Sequence, residues 1–172
     1  YEEGVSGRTT VFQDPLYDGL DALHYLWPCL KSHEPVSLLI IMLGTNDTKE
    51  RFGMNAFAIS LGMRRLVQMA QTIDCWGPGG KPNILIIAPP AIDSGILTSP
   101  VADEMGTMGC GCVEKSKALP AYYRRVAQEA GCHFLDANEC GAEFNTIDFM
   151  HLTRRGHASL AAALAKLIPT LA

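Results

Sequence analysis

The length, composition and charge of the chain exclude several classes of protein. Its 172 residues, 48% hydrophobic and 19% charged, suit a single domain over residues 1–172 with its own hydrophobic core. The formal net charge is −4 and no run of Lys or Arg exceeds two residues, so we expect neither nucleic acid nor a membrane surface as a partner. The apolar run Leu38–Leu43 is far too short to cross a bilayer.

The elements predicted in chain order alternate between helix and strand. Apolar residues at helical spacing predict helices, and short continuous apolar runs predict strands that are buried on both faces. Thr153 is a predicted N-cap for the last helix, and Pro169 closes it. The predicted elements are a helix over about 18–33, a strand over 36–43, a helix over about 55–72, a strand over 83–88, a helix over 113–130, a strand over 132–136 and a helix from 153 to about 168.

This alternation predicts an α/β fold with a parallel sheet and helices on both faces. In such sheets, ligands bind at the carboxyl ends of the strands. We therefore expect chemistry just after Leu43, just after Ala88 and just before the last helix. The long irregular segment from Pro89 to Gly111 is of the kind that usually serves as a lid or a subunit contact.

The six cysteines are scattered along the chain. The closest pair, Cys110 and Cys112, is one residue tighter than the C-x2-C spacing of zinc sites. We interpret the cysteines as the reduced thiols of a cytoplasmic protein, with a structural disulfide or metal as the alternative. We predict no metal and no organic cofactor.

The sharpest catalytic motif is Asp148-Phe-Met-His151, directly ahead of the last predicted helix. An aspartate three residues before a histidine in a turn can hold the imidazole Nδ1–H and leave Nε2 as a general base. On spacing alone, the alternative that Asp148 merely caps a turn is favoured, since D-x-x-H is common by chance.

Two further motifs carry candidate oxyanion donors. Asn46 lies in Leu43-Gly-Thr-Asn-Asp47, where a buried strand ends, and it offers a side-chain N–H donor. Gly7 lies in the opening Val5-Ser-Gly-Arg-Thr-Thr10 stretch and would let its backbone N–H approach a ligand closely. The alternatives are a polar turn at Asn46 and a plain glycine turn at Gly7.

Taken together, these motifs resemble the SGNH (GDSL-like) hydrolases over essentially the whole chain. The similarity is greatest to bacterial arylesterases and carbohydrate esterases, which share stretches like E-G-x-x-G-R-T-T and I-M-L-G-T-N-D-T-K and a Pro-Pro after the next strand. The resemblance implies a flavodoxin-like three-layer α/β/α sandwich and hydrolysis of small acyl esters through a serine acyl-enzyme. It implies that Gly7 and Asn46 are oxyanion donors, that His151 is the base, and that Asp148 orients it.

One block of the family pattern has no counterpart among these residues. The family places its nucleophile in a G-D-S turn after the first strand, whereas Asp93-Ser94 lies in the loop after a different strand. Ser6 fails the last position of the G-x-S-x-G elbow and has no strand ahead of it. We therefore expect the serine upstream of Tyr1, either in a preceding segment or in a separate N-terminal fragment that docks.

The sequence thus predicts an esterase of small, acetyl-type esters, with acyl transfer as a side activity. The segment 89–111, with Ile92, Ile96, Leu97, Val101 and Met105, is a candidate interface of a homo-oligomer. The alternative is a non-catalytic binding domain that kept the fold and lost the nucleophile. A nucleotide-binding domain is disfavoured, because no G-x-G-x-x-G or Walker loop follows any predicted strand.

Overall fold

The computed structural model describes residues 1–77, 79–100 and 108–171, and within them the predicted alternation of helices and strands is present. The helices and strands are α1 (Ala22–Ser32), β1 (Leu39–Ile41), α2 (Ala56–Thr72), β2 (Ile84–Ala88), α3 (Cys112–Ala130), β3 (His133–Asp136) and α4 (Arg154–Leu167). The three strands are parallel, in the order β1-β2-β3.

Helices cover both faces of this sheet, which confirms the three-layer α/β/α architecture. On one face, Ile84, Ile86 and Ala88 of β2 join a core formed with α1, α2 and α3. On the other face, Leu85 and Ile87 pack against leucines of α4. All five residues of β2 are buried, as the strand prediction requires.

Capping side chains set where the helices begin. Thr153 accepts a hydrogen bond from Gly156 N, as predicted for the start of α4. Asn55 does the same for Ala58 N at the start of α2. The first helix begins later than predicted, at Ala22, because Asp21 caps it by accepting from His24 N.

β1 differs from its prediction as a strand buried on both faces. It is shorter, and Ile40 and Met42 are 38% and 41% exposed. The reason is that β1 pairs with β2 on one side, while its other edge borders a cavity of about 830 Å³. We call this space the edge cavity; residues 1–4 are also among the residues that line it.

The turn that leaves β1 depends on Gly44. Its φ of +123° is a conformation that L side chains rarely adopt, and a Cβ there would lie 2.4 Å from the Tyr123 hydroxyl oxygen. Tyr123 is fully buried and donates a hydrogen bond to the Leu43 carbonyl at 3.0 Å. Gly44 and Tyr123 therefore fix the direction in which the chain enters the Asn46 turn.

We expect Gly44→Ala to lower the free energy of unfolding clearly more than Gly19→Ala. Gly19 also has a positive φ, +73°, but a Cβ there meets nothing within 4 Å. Gly19→Ala should therefore lower the free energy of unfolding only by the strain of the left-handed backbone, ~1–2 kcal/mol. Gly44→Ala adds an overpacking cost of ~1–3 kcal/mol against Tyr123. Urea unfolding followed by circular dichroism measures both. Equal losses would contradict the steric role of Tyr123.

Candidate active site

The Asn46 turn and the Gly7 loop lie against each other. Asn46 begins a short 3₁₀ helix after β1, and its Nδ2 donates to the Arg8 carbonyl oxygen at 3.2 Å. An amide NH₂ carries two hydrogens, so one remains for another acceptor. Gly7 has a φ of +87°, and within the described residues its N–H has no hydrogen-bond partner. Two predicted oxyanion donors, 39 positions apart in the chain, therefore meet at one place.

A buried carboxylate holds this arrangement together. Asp47 is fully buried, and its Oδ1 accepts hydrogen bonds from both the backbone N–H of Thr10, at 2.9 Å, and the Thr10 hydroxyl. Thr10 is also fully buried. The side chain next to Asn46 thus fastens the segment that carries Gly7 and Arg8.

The buried environment of the Asp47 carboxyl group disfavours its charged form. Burial raises its pKa from 3.8 to about 6, although the hydrogen bonds from Thr10 and the nearby Lys49 charge act in the opposite direction. Raising the pKa of an acid means that the folded protein binds a proton more tightly than the unfolded chain.

Asp148 and His151 form the second half of the site, in the turn before α4. The His151 Nδ1 lies 3.0 Å from Asp148 Oδ2. The Asp148 Oδ1 accepts from the backbone N–H groups of Met150 and His151 and from Asn145 Nδ2. Both interpretations of the D-x-x-H spacing therefore hold, because one oxygen caps the turn while the other faces the imidazole.

The Asp148 carboxylate is stabilised in its charged form. Burial alone would raise its pKa, but the hydrogen bonds from His151 and Met150 N–H, the His151 ring and Asn145 lower it from 3.8 to about 2. Asp148 is therefore ionised at neutral pH and can fix the Nδ1–H tautomer of His151. The His151 side chain is 62% exposed, so its Nε2 face is open to a substrate.

The turn between Asp148 and His151 is supported by contacts with the loop that follows β2. Phe149 has a φ of +59°, a conformation that costs a non-glycine residue of the order of 1 kcal/mol. Its carbonyl accepts from Asp93 N at 3.0 Å, and its ring lies where a Cβ on Gly95 would have to be. The loop that follows β2 thus holds the Asp148–His151 turn in place.

The structure accordingly groups the four predicted residues into two pairs. Gly7 lies with Asn46, and Asp148 lies with His151. Asn46 follows β1, and the turn of His151 packs on the loop that follows β2, so both pairs belong to the carboxyl edge of the parallel sheet. Within the described residues, no hydrogen bond joins one pair to the other.

Sequence reasoning missed three residues that position the predicted ones. Asp47 and Thr10 are separated by 37 positions, so no spacing rule could pair them. Asn145 orients Asp148 from three residues upstream and also donates to the His151 carbonyl. A local Asn-x-x-Asp pattern was the only signal for Asn145 in the sequence.

The structure corrects part of the subunit interface that was predicted for segment 89–111. Ile92 and Ile96 are each 1% exposed, and they pack inside the chain against Met108, Cys112 and Val113. They are therefore unavailable to a partner, because they support the Phe149 turn instead. Leu97 is 50% exposed. The other two interface candidates, Val101 and Met105, lie outside the described residues.

One cluster in the described residues has the composition of a metal site. Glu3, Cys29 and His33 place one ligand atom each within 4.8 Å of one another. Glu3 already bonds the His33 ring at 2.6 Å and accepts from the Tyr25 hydroxyl, so hydrogen bonds account for this grouping. All six cysteines are free. None of the helices in the described ranges has the length and apolar composition to cross a membrane.

Comparison with known proteins assigns the class that this fold and site define. Residues 1–159 match the GDSL-like lipase/acylhydrolase family, and the chain belongs to that family. The predicted SGNH-type fold and family are thereby confirmed, and the class is that of ester hydrolases. No curated protein matches the chain at a significant level.

Two solved structures illustrate the similarity. A carbohydrate acetylesterase from Sinorhizobium meliloti is 36% identical, with a TM-score of 0.88 over 99% of this chain and 78% of that one. An aryl esterase from M. smegmatis is 32% identical, with a TM-score of 0.89 over 100% of this chain and 78% of that one.

The Asp47 carboxyl gives a testable pH dependence. Because its folded pKa, about 6, exceeds its unfolded value of 3.8, its contribution to stability is fully present below pH 3.8 and is lost as pH rises through 6. Two pKa units correspond to about 3 kcal/mol. We expect the stability of Asp47→Asn relative to the parent protein to rise between pH 4 and pH 7. Urea unfolding across this range measures it, with the exposed Asp18→Asn as control. A constant difference would contradict the raised pKa.

Proposed function

We propose that this chain is the larger part of a serine esterase that hydrolyses short-chain, acetyl-type carboxylic esters. The observation that carries the proposal is the Asp148–His151 pair, with its imidazole exposed, on the same sheet edge as the Gly7 and Asn46 donors. General base, orienting carboxylate and oxyanion donors are the parts that acyl transfer to water requires besides a nucleophile.

In the proposed reaction, a serine Oγ attacks the acyl carbon of the ester while His151 Nε2 takes its proton. The resulting oxyanion accepts hydrogen bonds from Gly7 N–H and from the free hydrogen of Asn46 Nδ2. Asp148 stays ionised and stabilises the imidazolium. The intermediate collapses, and the alcohol leaves with the proton from His151. Water then attacks the acyl-enzyme by the same route, releasing the carboxylic acid and the free serine.

We place the nucleophilic serine on a segment upstream of Tyr1. Two serines of the chain were considered as nucleophiles, and both are unsuited. Ser94 lies in the 3₁₀ turn capped by Asp93, and Ser6 lies on an exposed loop. Within the described residues, neither hydroxyl bonds to His151. The edge cavity beside β1 offers an upstream strand a place in the sheet, next to the end at which Asn46 lies.

The proposal also covers the length of the acyl group and the molecule that accepts it. The similar structures are named as an aryl esterase and a carbohydrate acetylesterase, and the acetyl group in the second name supports a short acyl chain. Transfer of the acyl group to an alcohol in place of water would be a side reaction of the same acyl-enzyme. A homo-oligomer and a cytoplasmic location stay predictions from the sequence.

A fluorophosphonate probe tests the proposal directly. The gene product that contains these residues is labelled and digested, and the adduct is located by mass spectrometry. We expect one adduct, on a serine upstream of Tyr1, and we expect phenyl acetate to slow labelling more than phenyl octanoate does. An adduct on Ser94 or Ser6 would contradict the upstream position. A protein without any adduct would be the non-catalytic binding domain.

The base and its orienting residue are tested by kinetics on the same gene product. We expect His151→Gln and Asp148→Asn to lower kcat for p-nitrophenyl acetate by ~10²–10⁴-fold, since each removes proton transfer or its orientation. His157→Gln is the matched control, because His157 is an exposed histidine on α4, the helix that follows His151. Equal activity of the His151 and His157 variants would remove His151 from the mechanism.

A further inference from the structure

The beginning of α3 contacts both halves of the candidate site. In the part of the chain that the structure describes, Asn46 shares no hydrogen bond with Asp148 or His151. Acyl transfer nevertheless needs the oxyanion donors and the base at a fixed separation. Two adjacent side chains of α3, Lys115 and Ser116, bond to the segments that carry or support the two halves. We call these two residues the α3 bridge.

Lys115 bonds to the turn that carries Asn46. Its Nζ donates to the Thr48 carbonyl at 3.1 Å and lies 3.3 Å from Glu50 Oε1. Thr48 is fully buried and ends the 3₁₀ helix that Asn46 begins. The Lys115 side chain is only 17% exposed, so water competes weakly for these bonds. The position of the Asn46 turn is therefore linked to that of α3.

Glu50 brings the same two segments into close contact. Its Oε1 accepts from Gly111 N, at the N-terminus of α3, at 3.1 Å. A Cβ on Gly109 would lie 1.8 Å from Glu50 Cγ, and a side chain there would have to displace Glu50. The absence of a side chain at Gly109 thus lets the chain before α3 fit around the residue that follows the Asn46 turn.

Ser116 bonds to the loop that supports His151. Ser116 is 1% exposed, and its Oγ accepts from Ile92 N at 2.9 Å while donating to a carbonyl of α3 itself. The next N–H of this loop, that of Asp93, donates to the Phe149 carbonyl at 3.0 Å. A connected path of contacts therefore runs from the Asn46 turn through the α3 bridge to the turn of the base.

A buried apolar cluster stiffens this path. It fills the space between α3 and the loop after β2, and Phe149 and Met150 of the His151 turn pack against it. Close-packed side chains transmit a displacement instead of absorbing it. The buried members of the cluster are Ile92, Ile96, Met108, Cys112 and Val113.

We propose that the α3 bridge sets the separation between the oxyanion donors and the general base, so that Lys115 and Ser116 are positioning residues of the reaction. The inference rests on the proposed function, because it takes Asn46 and His151 in their catalytic roles. Lys115 holds one half and Ser116 the other, so the two act in series and neither touches the ester. Loss of either one uncouples the halves, and loss of the second then adds little.

The test measures kcat and KM for p-nitrophenyl acetate with Lys115→Met and Ser116→Ala in the gene product that contains these residues. Titration with the fluorophosphonate probe fixes the concentration of active enzyme, so that misfolded protein does not lower kcat. We expect kcat to fall about tenfold with KM changed less than about twofold, because misplaced groups weaken transition-state stabilisation more than substrate binding. Lys115→Arg, which can donate to the same oxygens, should restore most of the activity.

Two variants serve as matched controls and should keep the kcat of the parent protein. Lys117→Met removes an exposed lysine of the same helix, which pairs with Glu114. Ser60→Ala removes a buried serine whose hydroxyl donates to the Phe57 carbonyl within α2. Single bridge variants that also keep the parent kcat would overturn the positioning role.

The double variant distinguishes one bridge from two independent local contacts. Lys115→Met combined with Ser116→Ala should have the kcat of the weaker single variant, because residues in series are not additive. A loss equal to the product of the two single losses would overturn the bridge.

Amide hydrogen exchange on the same proteins tests the bridge without using activity. Each single variant should speed exchange at residues 45–49 and also at 148–151, and faster exchange confined to one half would overturn the coupling. A parent protein without hydrolysis or adduct, together with coupled exchange, would refute the esterase and leave the bridge standing. Hydrolysis by the parent protein, with kcat and exchange unchanged in the variants, would support the esterase and refute the bridge.

Discussion

The contact between Asp47 and Thr10 is the interaction on which the rest of the site depends. It joins the turn after β1 to the N-terminal segment through hydrogen bonds to one buried carboxylate. Burial removes competition from water, so these bonds are stronger than they would be at the surface, and the loss of one partner is correspondingly costly. Burial of the Asp47 carboxyl group disfavours its charged form and so raises its pKa. Asn46 and Gly7 lie where they do because this contact lies next to them.

The second half of the site is built on a different principle. The Asp148 turn is local, and its carboxylate is satisfied by N–H groups within three residues. What fixes it relative to the sheet is packing, since Phe149 inserts against Gly95 and joins the cluster of Ile92 and Ile96. A local hydrogen-bonded turn sets the His151 orientation, and the loop after β2 sets its position. The segment assigned by sequence to a subunit contact thereby acquires an internal role.

The edge of β1 that faces away from β2 borders the edge cavity. β1 has the composition of an interior strand and lies next to this cavity. Arg8 also lines the cavity, and its buried Nε and Nη1 atoms have no hydrogen-bond partner among the described residues. The apolar side chains of Ile40 and Met42 fit a strand with neighbours on both sides.

The sequence by itself determined the type and order of the elements, because hydrophobic periodicity and capping residues act locally. Asn55 and Thr153 mark their helix starts, and the run over residues 84–88 is a buried strand, as predicted. The Asp148–His151 pair was also readable, since both partners lie within one turn. Only the tertiary structure decided the pairing of Asp47 with Thr10, the inward packing of Ile92 and Ile96, and the open edge of β1. These depend on contacts between residues far apart in the chain, and such contacts leave no periodic trace in a single sequence.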